Sequence, residues 1–226
     1  MNARTDLTGR LLTLGAAERT LLVDLYQARF ADADLLSGLA ALSGADAQAL
    51  ASRGLSRSVS ASAGEVHYLS ATGQRAALQL EPSARSGGRA YAALRLEHEL
   101  LRARLYLALR RRGMPPAAFC SEPRLAYRSA AGLGERALVP DASVEADAGW
   151  LVEIDRGTEG EAQLRHKWLR YREWQISAGE GAHLGVLAGG APGGVVRSLA
   201  ASGVDAGVFS SVEELAAAIW REEDGM

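Results

Sequence analysis

The chain is poor in cysteine, lysine and aromatic residues, and each shortage narrows what it can be. Cys120 is the only cysteine in 226 residues. An intrachain disulfide and a cysteine-rich zinc site are thereby excluded, and a reducing compartment, the cytoplasm, is expected. No run of about twenty apolar residues, the length a membrane-spanning helix requires, is present, and the polar stretch Met1–Arg10 predicts no secretory signal. The four histidines, His67, His98, His166 and His183, stand at no zinc-ligand spacing, and there is no Gly-x-Ser-x-Gly elbow. Zinc hydrolases and serine hydrolases therefore lack their residues here. Aromatic residues make up 6% of the chain, and Trp150, Trp168, Trp174 and Trp220 are expected in a core or an interface rather than stacked on bases. Of the 25 basic residues only one, Lys167, is a lysine.

What is present is a charge asymmetry hidden by a net charge of −2. Residues 1–90 carry nine arginines against eight acids, residues 91–128 eight arginines against three acids, and residues 129–226 eight cations against sixteen acids. A nucleic-acid binder needs a local basic stripe rather than a basic whole. Arg95, Arg102, Arg104, Arg110, Arg111, Arg112, Arg124 and Arg128 supply one, the alternative being a solvated helix face.

Hydrophobic periodicity divides the chain into two blocks. In the first, helices are predicted over Ala17–Arg29, with Leu21, Leu22, Leu25 and Tyr26 on one side, over Asp32–Leu42, and over Asp46–Arg53, ended by Gly54. Two strands, Leu55–Val59 and Val66–Ser70, then precede a helix beginning near Ala71. Glu81–Gly88, with its proline, serines and glycine pair, reads as a linker. A long helix follows over Tyr91–Arg112, whose stripe Leu94, His98, Leu101, Leu105 and Ala108 turns His98 inward. Next come strands at Phe119–Tyr127, Ala137–Val144 and Gly149–Asp155, a helix over Glu161–Gln175, a strand at His183–Ala188, a helix at Gly193–Ser202 and a strand at Gly207–Ser210. Ser210 and Ser211, with Glu213 and Glu214 three residues on, offer two registers of capping box for a last helix reaching Trp220. Gly189–Gly194 reads as a strand-to-helix turn, since it lacks the lysine and hydroxyl of a nucleotide loop.

Residues 138–175 carry the chemistry. On a strand over 149–155, alternation puts Glu153 and Asp155 on one face with Leu151, and two acids facing a core need a cation. On the next helix, Lys167 shares the apolar face of Leu164, Trp168 and Tyr171 at 100° per residue. An unpaired buried ammonium is costly, so Lys167 is expected against Asp155 or Glu153, either as a structural ion pair or as part of a catalytic set.

Gly54–Gln74, in particular Tyr68-Leu69-Ser70-Ala71-Thr72-Gly73, resembles the wing of winged-helix DNA-binding domains. In such domains the third helix enters the major groove. Here that segment offers Gln48 and Ser52 as base readers, with Arg53 and Arg57 as phosphate contacts, which leaves dimerisation or partner docking as an alternative role. The later order of elements, with Pro140-Asp141 and then Glu153-Ile154-Asp155, resembles the PD-(D/E)XK restriction-endonuclease-like superfamily. Across both blocks, with Leu96-Glu97-His98, Pro140-Asp141-Ala142, Glu153 to Glu159 and Lys167, the chain is similar to the replication-relaxation family of plasmids and other mobile elements.

The resemblance implies an α+β protein: a winged helix over residues 1–80, a linker over 81–90, and over 91–226 a nuclease-like α/β domain with a mixed sheet flanked by helices. It implies DNA as a partner and no membrane, with a protein partner or a homodimer as further expectations. If the site is active, Asp141 and Glu153 would hold Mg²⁺ or Mn²⁺, with Asp155, Lys167 and His98 as the remaining catalytic candidates. Otherwise no cofactor is expected. The superfamily's lysine, two positions after the strand carboxylate, is replaced here by Asp155. Three functions follow: a DNA-associated protein of replication-relaxation type, a metal-dependent DNA endonuclease using Asp141, Glu153 and Lys167, or a non-catalytic dimeric assembly module.

Overall fold

The computed structural model describes residues 7, 9, 11–61, 64–83, 85, 86, 96–128, 134–145, 149–178, 183–189 and 193–220. It has an α+β fold in two compact units, Met1–Ala117 and Ala118–Met226. No helix among the described residues is long and apolar enough to cross a membrane.

The first unit includes α1 (Ala16–Ala28), α2 (Ala33–Ser43) and α3 (Ala47–Ser52). Asp32 and Asp46 start the second and third helices by accepting the N–H groups of Leu35 and Gln48, each at 2.9 Å, which satisfies donors that a helix start leaves open. Gly44, at φ 71°, ends α2 in the left-handed region. An antiparallel hairpin follows, β1 (Ser56–Ala61) paired with β2 (Gly64–Leu69), and His67 also bridges Ala31. Then comes α4 (Ala71–Leu80). Three helices, a hairpin and a helix are the succession that periodicity predicted.

The motif's residues have physical tasks. Ser70 caps α4: its Oγ accepts the Gly73 N–H at 3.1 Å and donates to the Gly54 carbonyl at 2.8 Å. Gly73 lies so close to the hairpin that a Cβ there would stand 2.0 Å from the Leu55 carbonyl oxygen.

The expected boundary at 81–90 differs from the observed one. The helix α5 (Leu96–Arg111) belongs to the first unit, packed on α1 and α2. That packing buries α1 on more than its leucine side: Asp24 and Gln27 are enclosed along with Leu21, Leu22 and Leu25. Asp24 accepts from the Tyr106 hydroxyl at 2.6 Å and from Arg110 Nε at 2.9 Å, and Gln27 donates to the Pro116 carbonyl at 2.9 Å. Burial likewise covers more of α5 than the single stripe predicted, extending to Leu96, Glu99, Leu100, Arg102 and Leu107. His98, expected inward, is half-buried, and Leu94 lies outside the described residues.

The second unit holds β3 (Phe119–Ser121), β4 (Leu125–Arg128), β5 (Glu135–Leu138), β6 (Ala142–Val144), β7 (Trp150–Asp155), α6 (Glu161–Ala178), β8 (His183–Ala188), α7 (Gly193–Ser202), β9 (Gly207–Phe209) and α8 (Val212–Ile219). Its strands form a mixed sheet in the order β9-β8-β7-β6-β3. β9, β8 and β7 are parallel, β6 pairs antiparallel with β7, and β3 pairs antiparallel with β6. Two strands expected to be continuous are each broken at a proline. Near Pro123, where Glu122 takes φ 49°, and near Pro140, the chain leaves the sheet, so β4 and β5 pair as a separate hairpin. Proline has no N–H for a central ladder. Leu151, Leu164, Trp168, Tyr171, Leu184 and Val186 lie in the core on the α6 side. Ser211 caps α8, accepting the Glu214 N–H at 3.2 Å, while the Glu214 carboxylate takes the Ser210 N–H at 3.0 Å.

Candidate functional site

The site forms where β7 passes under α6. β7 is buried from Leu151 to Asp155, and its register sets Glu153 beside Val186 and Asp155 beside Ala188. Glu153 thus points with Leu151 into the α6 side of the sheet, as alternation predicted. From α6, residues four apart share a face, and two of them meet this carboxylate. The Tyr171 hydroxyl donates to Glu153 Oε1, and Lys167 Nζ lies 3.2 Å from Oε2. Nζ is also 2.8 Å from Glu159 Oε1 and 5.5 Å from the centre of the Trp168 ring, which is itself fully buried.

Asp141 reaches the same place from the start of β6. Its N–H donates to the Val152 carbonyl at 3.0 Å, and its Oδ2 accepts the Ile154 N–H at 2.7 Å. The carboxylate thereby takes the acceptor place that a ladder carbonyl would hold. Asp155, one of the two partners expected for Lys167, instead accepts the Gly157 N–H at 2.7 Å and shapes the turn leaving β7, while its buried Oδ2 has no hydrogen-bond partner among the described residues. Asp141, Glu153 and Lys167 are brought together; Asp155 is turned to the adjoining loop. His98 belongs to the first unit and Glu153 to the second.

The electrostatics follow from burial. Burial pushes the Glu153 carboxyl up to about 8; the Asp141 charge adds to this, and Lys167 and Tyr171 oppose it. Burial alone would lower Lys167, but the Glu153 and Glu159 carboxylates outweigh it and hold the ammonium above its usual range. Burial and the Glu153 charge raise the Tyr171 hydroxyl well above an ordinary tyrosine.

Sequence reading did not select Tyr171 or Glu159 as site residues. Tyr171 was legible as the residue four past Lys167 on its apolar face, whereas Glu159 arrives by a loop geometry that periodicity does not encode.

A hard divalent cation needs ionised carboxylates or carbonyls with free lone pairs. Here Tyr171 takes one oxygen of Glu153 and Lys167 the other, and burial favours its neutral form. Among the described residues no group of three or more His, Cys, Asp and Glu side chains is arranged to hold a metal ion. Lys167 and Tyr171 thus compete for the Glu153 oxygens with any Mg²⁺ or Mn²⁺ held at the expected pair Asp141 and Glu153.

The expected DNA contacts divide by environment. Arg102 is fully buried against Glu99, which also lies 3.6 Å from Arg29, and Arg110 is committed to Asp24. Phosphate cannot reach the buried Arg102 guanidinium without breaking its pair, and the partly buried Arg110 is engaged by Asp24. Arg104 pairs with Asp32 at 2.6 Å, and Arg53 with Glu18 at 3.3 Å and Thr13 at 2.9 Å. Arg112 binds the Ala108 carbonyl at 3.0 Å. Gln48, Arg57 and Arg111 are exposed. Arg95 and residues 190–192 of the glycine-rich turn lie outside the described residues.

No curated protein and no solved structure shows a significant match to the chain. Residues 25–185 match the family described as replication-relaxation. That span runs from α1 through α6 into β8 and takes in Asp141, Glu153, Glu159, Lys167 and Tyr171, so the chain belongs to the replication-relaxation family.

Proposed function

We propose that this chain associates with DNA in replication-related processing, on plasmids or other mobile elements, without cutting it. Its family supplies the replication context. In this reading the first unit docks as a winged helix, with Gln48, Arg57 and Arg111 as its exposed polar and basic contacts. The second unit, nuclease-like in its order of elements, binds nucleic acid or a partner. The observation that carries the non-cleaving reading is the engagement of Glu153, one oxygen by Tyr171 and the other by Lys167. A carboxyl so held is a poor ligand for a catalytic cation.

The test combines two assays on the full chain: fluorescence anisotropy with duplex and single-stranded DNA across a salt series, and incubation with plasmid in Mg²⁺ or Mn²⁺ beside Asp141→Ala. Binding that weakens with salt while the plasmid stays intact is the expected outcome. Cleavage lost in Asp141→Ala would replace this reading with an endonuclease using Asp141, Glu153 and Lys167. Absence of DNA binding at low salt would leave the assembly module.

A further inference from the structure

We propose that the Lys167 ammonium is the resident cation of the carboxylate site, standing between Glu153 and Glu159 in the room a metal ion would need, with Glu159 as the arm that keeps it there. The inference deepens the non-cleaving reading and does not depend on DNA binding.

Three observations carry it. Nζ stands 3.2 Å from Glu153 and 2.8 Å from Glu159, on two carboxylates from different segments. The buried Trp168 ring closes another side at 5.5 Å, where a cation is attracted to the aromatic face. Finally, this is the single position at which a chain otherwise supplied only with arginine uses lysine. An ammonium is a compact point charge with three donors, whereas a guanidinium is a broad planar fork. The compact ammonium suits the gap between the two carboxyl groups and the indole.

Because Lys167 is the only lysine, lysine-selective ¹⁵N labelling of the full chain yields one side-chain ammonium signal. The expected result is a slowly exchanging signal at neutral pH. It should shift and exchange faster in Glu153→Gln and again in Glu159→Gln, and stay unchanged in millimolar Mg²⁺. Wild-type protein should show no calorimetric Mn²⁺ binding. Lys167→Ser should gain Mn²⁺ binding that raises its melting temperature, and lose that gain when Glu153→Gln is added. Lys167→Arg should melt below wild type.

A lysine signal indifferent to both Gln substitutions overturns the proposal, as does stoichiometric wild-type Mn²⁺ binding abolished by Glu153→Gln. A folded Lys167→Ser that ignores Mn²⁺ overturns it too. Should that variant fail to fold, the lysine signal and the wild-type titration decide. Plasmid cleavage by wild type defeats the non-cleaving reading, whereas an indifferent lysine signal defeats only the resident cation.

Discussion

Glu153 is held by its surroundings in a form that resists ionisation, and this couples the site to pH. Unfolded, the carboxyl titrates near 4.5; folded, burial first and then the Asp141 charge move it to about 8. Between these values the folded chain keeps a proton that the unfolded chain has released, so this group's contribution to stability is full below about pH 4.5 and is lost as pH rises through about 8. Melting temperatures measured across that window should fall with pH in the wild type more steeply than in Glu153→Gln, which has no proton to lose. Parallel profiles for the two proteins would count against the assigned environment of Glu153.

Among the elements, α4 and α5 show contacts that sequence periodicity does not contain. Gly73 sits inside α4, where alanine would gain roughly 1 kcal/mol of helix propensity. Its added Cβ, however, would stand 2.0 Å from the Leu55 backbone carbonyl. Overpacking of this kind costs about 1–3 kcal/mol or more, so Gly73→Ala should lower stability in a denaturant titration. Gly194, near the start of α7 with nothing within 4 Å of its Cβ position, is the control and should tolerate alanine. For α5, the test is Asp24. Removing that carboxylate leaves the Tyr106 hydroxyl and Arg110 without their shared acceptor, and Asp24→Ala should cost about 3–5 kcal/mol. A loss under about 1 kcal/mol, the scale of an exposed pair, would mean that the α1–α5 pairing is peripheral.

At the scale of the whole chain, the arginines of residues 91–128 are not one electrostatic surface. Arg102 and Arg110 hold α5 in the first unit, while Arg111 is exposed, as is Arg57 on β1. Replacing Arg57 and Arg111 with Gln should therefore weaken DNA binding and flatten its salt dependence, by about one unit of log–log slope for each phosphate left unneutralised. Arg102→Gln should instead reduce thermal stability and leave the slope of the folded fraction unchanged. An Arg102→Gln protein of normal stability with a flattened salt slope would return that residue to the DNA surface.

Local chemistry makes much of the fold legible in the amino-acid sequence itself: caps at Asp32, Asp46 and Ser211, the hairpin, and the alternation that turns Glu153 toward α6 all follow from side chains acting on their own neighbourhood. The pairing of Lys167 with Glu153 is legible too, because helix face and strand parity leave few partners for a half-buried ammonium. What the tertiary structure alone decided depends on residues far apart in sequence. Glu99 and Asp24 claim Arg102 and Arg110, the broken strands at Pro123 and Pro140 re-pair as a separate hairpin, Asp155 is drawn into the turn after β7, and Glu159 and Tyr171 close around Lys167. A charge pattern counts cations and acids along the chain, but only packing determines which of them meet and which remain in water.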